Sequence, residues 1–216
     1  MQVLQIPFDE ASKWIKVKHY AHRLPSITYA FGLYDNNKLL GVVSYGIPAS
    51  NTLVKGICGE EYASLVLELN RLVIEEGSPK NSASFLVANS FKLLPKPTII
   101  VSYADTGQGH VGYIYQATNF IYTGLSDRHV EWRVDGEGTK HARHLFDKLG
   151  GIKQAKAKLG ERMVEGERPR KHRYIYFIGC TKAIKDALKY KPLPYPKGES
   201  KRYDADKEVS KQLLLI

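Results

Sequence analysis

The stretch from Ser64 to Glu75 constrains this chain more than any other. It is β-prone, and both faces of the strand it predicts are largely apolar. A sheet accommodates such a strand at a central position, covered on both sides. Glu76 to Ser82 is a polar loop. A helix is expected from about Asn81 to Leu94, apolar at Phe85, Leu86, Val87, Ala88, Phe91 and Leu94 and ended by Pro95 and Pro97. Thr98 to Ala104 reads as a second strand cut at Asp105, and Thr106 to Gly109 as a flexible connection. Val111 to Thr118 reads as a helix, and Asn119 to Thr123 as a strand closed by Gly124. Strand, helix, strand, helix with hairpins on either side predicts a mixed sheet covered by helices, an α+β or α/β chain.

Around this middle the signals are shorter. Gln2 to Phe8 predicts a first strand, and Asp9 a helix cap for a helix through about Arg23, stopped by Pro25. Ile27 to Tyr34 and Leu39 to Ile47 form a hairpin around Asp35-Asn-Asn-Lys, since Asn and Asp tolerate the left-handed turn conformation. Thr52 to Ala63 reads as irregular. Further on, His129 to Val134 predicts a strand, and Thr139 to Leu149 and Ile152 to Leu159 predict basic helices flanking Gly150-Gly151. Tyr174 to Ile178 is strongly β-prone, and Thr181 to Lys189 is a short amphipathic helix. Pro192-Leu-Pro-Tyr-Pro-Lys-Gly cannot be regular structure, because proline lacks the backbone donor; it lies against the body or is loose.

Charge narrows the partner. Up to Asp127 there are 10 basic and 10 acidic residues, and from Arg128 onward 22 and 12, so the later part carries the entire net charge of +10. A neutral core followed by a basic surface suits a polyanion, with nucleic acid foremost. In 216 residues this predicts a single domain over 1–190, with a basic elaboration from about 128 to 190, then a Pro/Lys-rich tail over 191–216. Cys58 and Cys180 make neither a disulfide framework nor a four-ligand zinc site. No apolar run is long enough for a membrane span, and Met1 to Glu10 lacks the features of a signal peptide. A cytoplasmic protein is expected, with no membrane partner and with a homodimer allowed.

Candidate site residues follow from cost and placement. Alternation puts Arg71 on the strand face of Leu67, Leu69 and Val73, with Glu68 and Asn70 on the other. A guanidinium among leucines must be paired or line a polar cleft. Ser78, Asn81, Ser82 and Ser84 surround a helix start, where backbone and side-chain donors bind anions or simply cap. Asp105 ends a strand before a turn, as base, ligand or cap, and Tyr115 follows on the next helix. His19 and Tyr20 close the first helix as an acid–base or ligand pair, unless one of them packs. His141 and His144 suit solvent or phosphate contact. In Arg168-Pro-Arg-Lys-His-Arg-Tyr-Ile-Tyr-Phe the cations Arg168, Arg170, Lys171 and Arg173 suit phosphates, and the aromatics suit stacking on a base.

Laid out in this order, the middle of the chain resembles the GNAT acyltransferase fold, with its mostly antiparallel central sheet flanked by helices. Leu67-Glu-Leu-Asn-Arg-Leu-Val-Ile stands for the strand that feeds a pyrophosphate loop over Gly77 to Ser84. Thr98 to Asp105 and Gly112-Tyr-Ile-Tyr-Gln-Ala-Thr-Asn-Phe follow. From about Lys18 to Gly179 the chain more closely resembles the Mom family of phage DNA-modification proteins. That likeness is carried by His19-Tyr20, Glu68-Leu-Asn-Arg-Leu, Ser102-Tyr-Ala-Asp, Gly109-His-Val-Gly-Tyr-Ile-Tyr-Gln-Ala-Thr-Asn-Phe and Lys171-His-Arg-Tyr-Ile-Tyr. It implies a transferase that converts adenine in double-stranded DNA to its carbamoylmethyl form and so protects phage DNA from host restriction. It marks His19, Tyr20, Arg71, Asp105 and Tyr115 as active-site groups, with Ser84 or Ser90, and iron on His19, Tyr20 and Asp105. Ser78, Asn81 and Ser82 fall in its cofactor loop. Gly77-Ser-Pro-Lys-Asn-Ser departs from the usual glycine-rich loop, because proline removes a donor, so the ordinary acetyl-CoA mode is not expected and the donor is left open. Two other classes fit the composition: an acetyl-CoA-dependent N-acetyltransferase of a small amine or protein, and a non-enzymatic DNA-binding anti-restriction protein.

Overall fold

A computed structural model describes residues 1–19, 24–135, 146 and 148–198. The chain forms two compact units. One is Met1–Leu125 together with the chain from Lys171 onward, and the other is Ser126–Arg170.

In the first unit, β1 (Gln2–Gln5) is followed by α1 (Phe8–Lys18), and a hairpin of β2 (Tyr29–Asp35) and β3 (Lys38–Gly46) follows. Asn36 and Asn37 make its turn in the left-handed conformation, with φ of 46° and 63°. Then come α2 (Asn51–Cys58), β4 (Val66–Ile74), α3 (Ser82–Leu93), β5 (Thr98–Asp105), α4 (Tyr113–Ala117) and β6 (Ile121–Leu125). The second unit holds β7 (His129–Val134), α5 (Ile152–Leu159) and β8 (Met163–Arg168). The chain returns to the first unit with β9 (Lys171–Ile178) and α6 (Lys182–Asp186). The seven-stranded sheet has the order β1-β2-β3-β4-β5-β9-β6. Only β4 and β5 run parallel; the other neighbours are antiparallel. The fold is thus a mixed, mostly antiparallel sheet flanked by helices.

Helices cover both faces. Phe31, Leu33, Tyr45, Leu69, Ile100, Phe120 and Tyr174 meet Leu86 and Val87 of α3 on one side. Val66, Ile99, Val101 and Ile175 meet Val54 and Ile57 of α2 and Ile184 of α6 on the other. Ala11 and Ile15 of α1 pack on Ala30 and Val42. In the second unit β7 and β8 form an antiparallel ribbon whose Trp132, Val134 and Met163 pack with Phe146 and with Ala155 of α5.

Several expectations need correction. Asn51–Cys58 is helical, not irregular: the Ser50 hydroxyl caps it by accepting from the Leu53 N–H at 3.3 Å, and Val54, Ile57 and Cys58 are buried. Gly56 and Gly59 obscured that pattern in the sequence. The first helix starts at Phe8 with Pro7 as its cap, so Asp9 lies in its first turn, where a carboxylate meets the positive helix end. It ends at Lys18, with His19 already extended. The third correction concerns Arg71. The register steps from Ser44↔Arg71 to Tyr45↔Leu69, so Asn70 is an extra residue in β4. Such a bulge reverses the alternation. Leu69 and Leu72 therefore share the α3 face, and Arg71 lies on the opposite face, with Val73 and Glu68. Of the helix expected over Thr139 to Leu149, residues 139–145 and 147 lie outside the described residues, as do Tyr20 and His22.

The proline-rich end lies against the body. The Leu193 N–H donates to the Tyr122 carbonyl at 2.9 Å, and the Tyr195 hydroxyl donates to the Phe120 carbonyl at 2.7 Å. Gln116 of α4 donates to the Pro196 carbonyl, and the Tyr113 hydroxyl to that of Gly198.

Gly112 caps α4 with φ of 79°, and a Cβ there would stand 2.5 Å from the Tyr174 ring; at Gly77, with φ of 73°, a Cβ would meet nothing within 4 Å. Both positions favour glycine, but only one is also crowded. Gly112→Ala is expected to cost about 2–4 kcal/mol and Gly77→Ala about 1–2 kcal/mol in urea unfolding, the difference being the clash. Equal losses would refute the steric role.

Candidate active site

Pairing between β4 and β5 covers only Val66–Leu69 and Ile99–Ser102, although β4 continues to Ile74 and β5 to Asp105. A cavity of about 630 Å³ is lined by residues of both strands at and beyond that point, with the loop and first turn of α3, His110–Tyr115, Lys171, and Lys18-His19 at the end of α1. That volume lies in the range of small-molecule sites.

Charge is concentrated in it. Glu68, Arg71 and Lys171 all line the cavity. Burial pushes the Glu68 carboxyl above the usual carboxylate range, and Lys171 and Arg71 pull it back. Arg71 is oriented by its own bulge, since Nη1 donates to the Asn70 carbonyl at 2.6 Å. Asn70 in turn accepts from the Ser44 hydroxyl and donates to the Ser26 carbonyl, each at 2.7 Å. Lys171 Nζ stands 3.7 Å from the Asp105 carboxylate, which also accepts the Gly107 N–H at 2.9 Å. Asp105 is therefore a turn cap and the partner of a cavity lysine. His110 lines the cavity as well; burial lowers its pKa against the opposing charge of Asp105.

The expected residues distribute as follows. His19 is 8% exposed and lines the cavity, as do Arg71, Ser78, Asn81, Ser82, Ser84 and Tyr115. Tyr115 also belongs to the core, its ring centroid 5.2 Å from Tyr174 and 5.3 Å from Phe120. The hydroxyls of Ser78, Ser82 and Ser84 donate to the carbonyls of Glu75, Pro79 and Asn81. Their protons are committed locally, whereas the Asn81 side chain makes no capping bond. Ser90 is fully buried, its hydroxyl 2.6 Å from that of Tyr45. Of the four basic residues assigned to phosphates, Lys171 is in the cavity. Arg173 donates to Thr123 through Nε and Nη2 and stacks 3.4 Å over the Tyr190 ring. Arg170 donates to the Ser126 carbonyl at 2.6 Å, and Arg168 is exposed.

Glu68, His110, Lys171, Lys18 and Lys80 are cavity groups that the sequence reading did not place there. The desolvation argument that singled out Arg71 applies equally to Glu68 in the same strand. Of the three residues expected to hold iron, His19 lines the cavity, Asp105 stands 3.7 Å from Lys171 Nζ, and Tyr20 lies outside the described residues.

Residues 1–197 match the model of the Mom protein family. The chain belongs to the Mom family. A relative, the methylcarbamoylase Mom of Escherichia phage Mu, is 27% identical over 190 residues, covering 85% of this chain and 78% of the phage protein. This chain is also similar to solved structures. One is the yncA protein of Salmonella typhimurium with acetyl-CoA, at 8% identity, TM-score 0.46, and coverage of 82% of this chain and 94% of that one. Another is a GNAT-family acetyltransferase of Bacillus cereus, at 12% identity, TM-score 0.42, and coverage of 82% and 96%. No helix among the described residues is long and apolar enough to cross a membrane.

The lifted Glu68 pKa has a sign that can be tested. Folding favours the protonated acid, so that contribution is complete below the ordinary carboxylate range and is lost as pH rises through the lifted value. Glu68→Gln stays neutral, and its melting temperature is expected to rise relative to the parent between about pH 4 and about pH 8. A difference independent of pH would mean that Arg71 and Lys171 offset the burial completely.

Proposed function

We propose that this Mom chain is a DNA-modifying transferase. Its cavity receives an adenine swung out of duplex DNA, and the exocyclic amine acquires a carbamoylmethyl group that shields the DNA from restriction. Family membership and the name of the phage Mu relative support the class of reaction. The observation that carries the site is a cavity at the end of the β4–β5 ladder lined by the half-buried Glu68 carboxyl together with the cations Arg71 and Lys171.

An amine inside a stacked duplex is out of reach of a cavity in a protein body, so the base has to leave the stack. The ionised Glu68 carboxylate, made a stronger base by its lifted pKa, accepts a proton from the amine as the new N–C bond forms and the bond from that carbon to the donor's leaving group breaks, the leaving group taking the electron pair. Arg71 and Lys171 hold the electronegative end of the donor, and Asp105 fixes Lys171. The loop Ser78–Ser84 presents the amide of Asn81 and the start of α3 to the donor. Tyr115, packed on Tyr174 and Phe120, gives the cavity a rigid aromatic wall against the base. His19 closes the side formed by the end of α1, and Ser84 lies at the rim of the loop.

The test is nucleoside mass spectrometry of plasmid DNA from bacteria expressing the chain, beside its phage Mu relative. Adenosine heavier by one carbamoylmethyl group is expected, with the yield reduced about a hundredfold or more in Glu68→Gln. Arg71→Ala and Asp105→Ala are also expected to reduce it. Unmodified adenosine from folded protein, in cells where the relative modifies the same plasmid, would refute the reading.

A further inference from the structure

The ribbon of the second unit sorts its side chains by face. Residues opposite one another in an antiparallel pair share a face. Val130 pairs with Glu167, Trp132 with Glu165 and Val134 with Met163, and Trp132, Val134 and Met163 pack with Ala155 of α5. The other face carries His129 with Arg168, Glu131 with Gly166, and Arg133 with Val164. Both acids of β8 interior to its ends therefore lie on the α5 side. The outer face holds two arginines and a histidine against Glu131, which Arg133 Nε meets at 3.3 Å. His129, Arg133 and Arg168 are exposed, and Val164 leaves 53% of its surface uncovered among them.

Gly166 sits in the middle of this face. A Cβ there would meet nothing closer than the Glu131 carbonyl at 3.9 Å, an ordinary contact. Nothing within the described chain requires glycine at this position. A glycine inside a strand weakens it, and one without internal need leaves its backbone open to close approach by another molecule.

We propose that this outer face is a docking surface for duplex DNA, with Arg133 and Arg168 on phosphates and the Gly166 backbone in close contact. The proposal rests on the DNA-modifying reading for the identity of its partner. The major groove of B-DNA, about 12 Å wide, admits a two-stranded ribbon. The arginines supply charge-assisted contacts to the phosphates on either side. Segregation of Glu165 and Glu167 to the α5 side leaves Glu131, paired with Arg133, as the one acid among the described residues of this face.

Binding of the full chain to a fluorescein-labelled duplex, followed by anisotropy across a salt series, tests it. Arg133→Ala/Arg168→Ala is expected to weaken binding about tenfold or more and to lower the salt slope by about two. Lys153→Ala/Lys158→Ala removes the same charge from exposed positions on α5 and is expected to bind like the parent. Gly166→Val is expected to bind more weakly while melting at or above the parent temperature, because valine favours strands and its Cβ has room. Equal weakening by the two double variants would reduce the effect to bulk charge and overturn the proposal, as would parental binding by Gly166→Val. The two readings separate cleanly. Ribbon-dependent binding without any heavier adenosine would sink the modification alone, and heavier adenosine with ribbon-independent binding would sink the docking surface alone.

Discussion

The last hydrogen-bonded step between β4 and β5 is closed by a side chain. Ser102, fully buried, donates its hydroxyl to the Leu69 carbonyl at 2.9 Å, at the final pair of the parallel ladder. One residue later β4 takes on its extra residue, Asn70, which is bound to Ser44 on the neighbouring strand and to Ser26 beyond it. Gly46 makes that contact possible: a Cβ there would fall 1.9 Å from the Ser26 carbonyl. The bulge decides which way Arg71 points, and the end of the ladder decides that there is a cavity. Without the first, the guanidinium would be driven into the leucine core, at a desolvation cost of several kcal/mol.

Charged groups at this point of the sheet come from elements far apart in sequence. β4 brings Glu68 and Arg71, and β9 brings Lys171, opposite Asp105 of β5 in the ladder. Of these groups burial lifts the Glu68 carboxyl, and the nearby Lys171 and Arg71 oppose that lift. The basic residues of the later part of the chain thus lie in different settings: Lys171 lines the cavity, Arg173 is committed to Thr123 and Tyr190, and Arg168 is open to solvent.

Much of the architecture was legible from local chemistry. The hairpin at Asn36-Asn37, the helix after Asn81 and the strand at His129–Val134 came from turn residues, proline stops and β-prone runs, which act within a few positions. The helix at Asn51–Cys58 escaped because its glycines outweighed the Ser50 cap. β8 escaped because Met163–Arg168 is largely polar and becomes a strand through pairing with β7.

Composition and order alone established a mixed sheet with a central apolar strand, a basic later part and the motifs of the Mom family. Those properties depend on residue type and near neighbours. Tertiary structure decided that Glu68 rather than its apolar neighbours faces Arg71, that Lys171 is a cavity residue, and that the serines near α3 bond to their own backbone. A bulge shifts every later side chain to the other face, and a cation four strands' worth of sequence away reaches a carboxylate only when the sheet is assembled. No local pattern encodes either event.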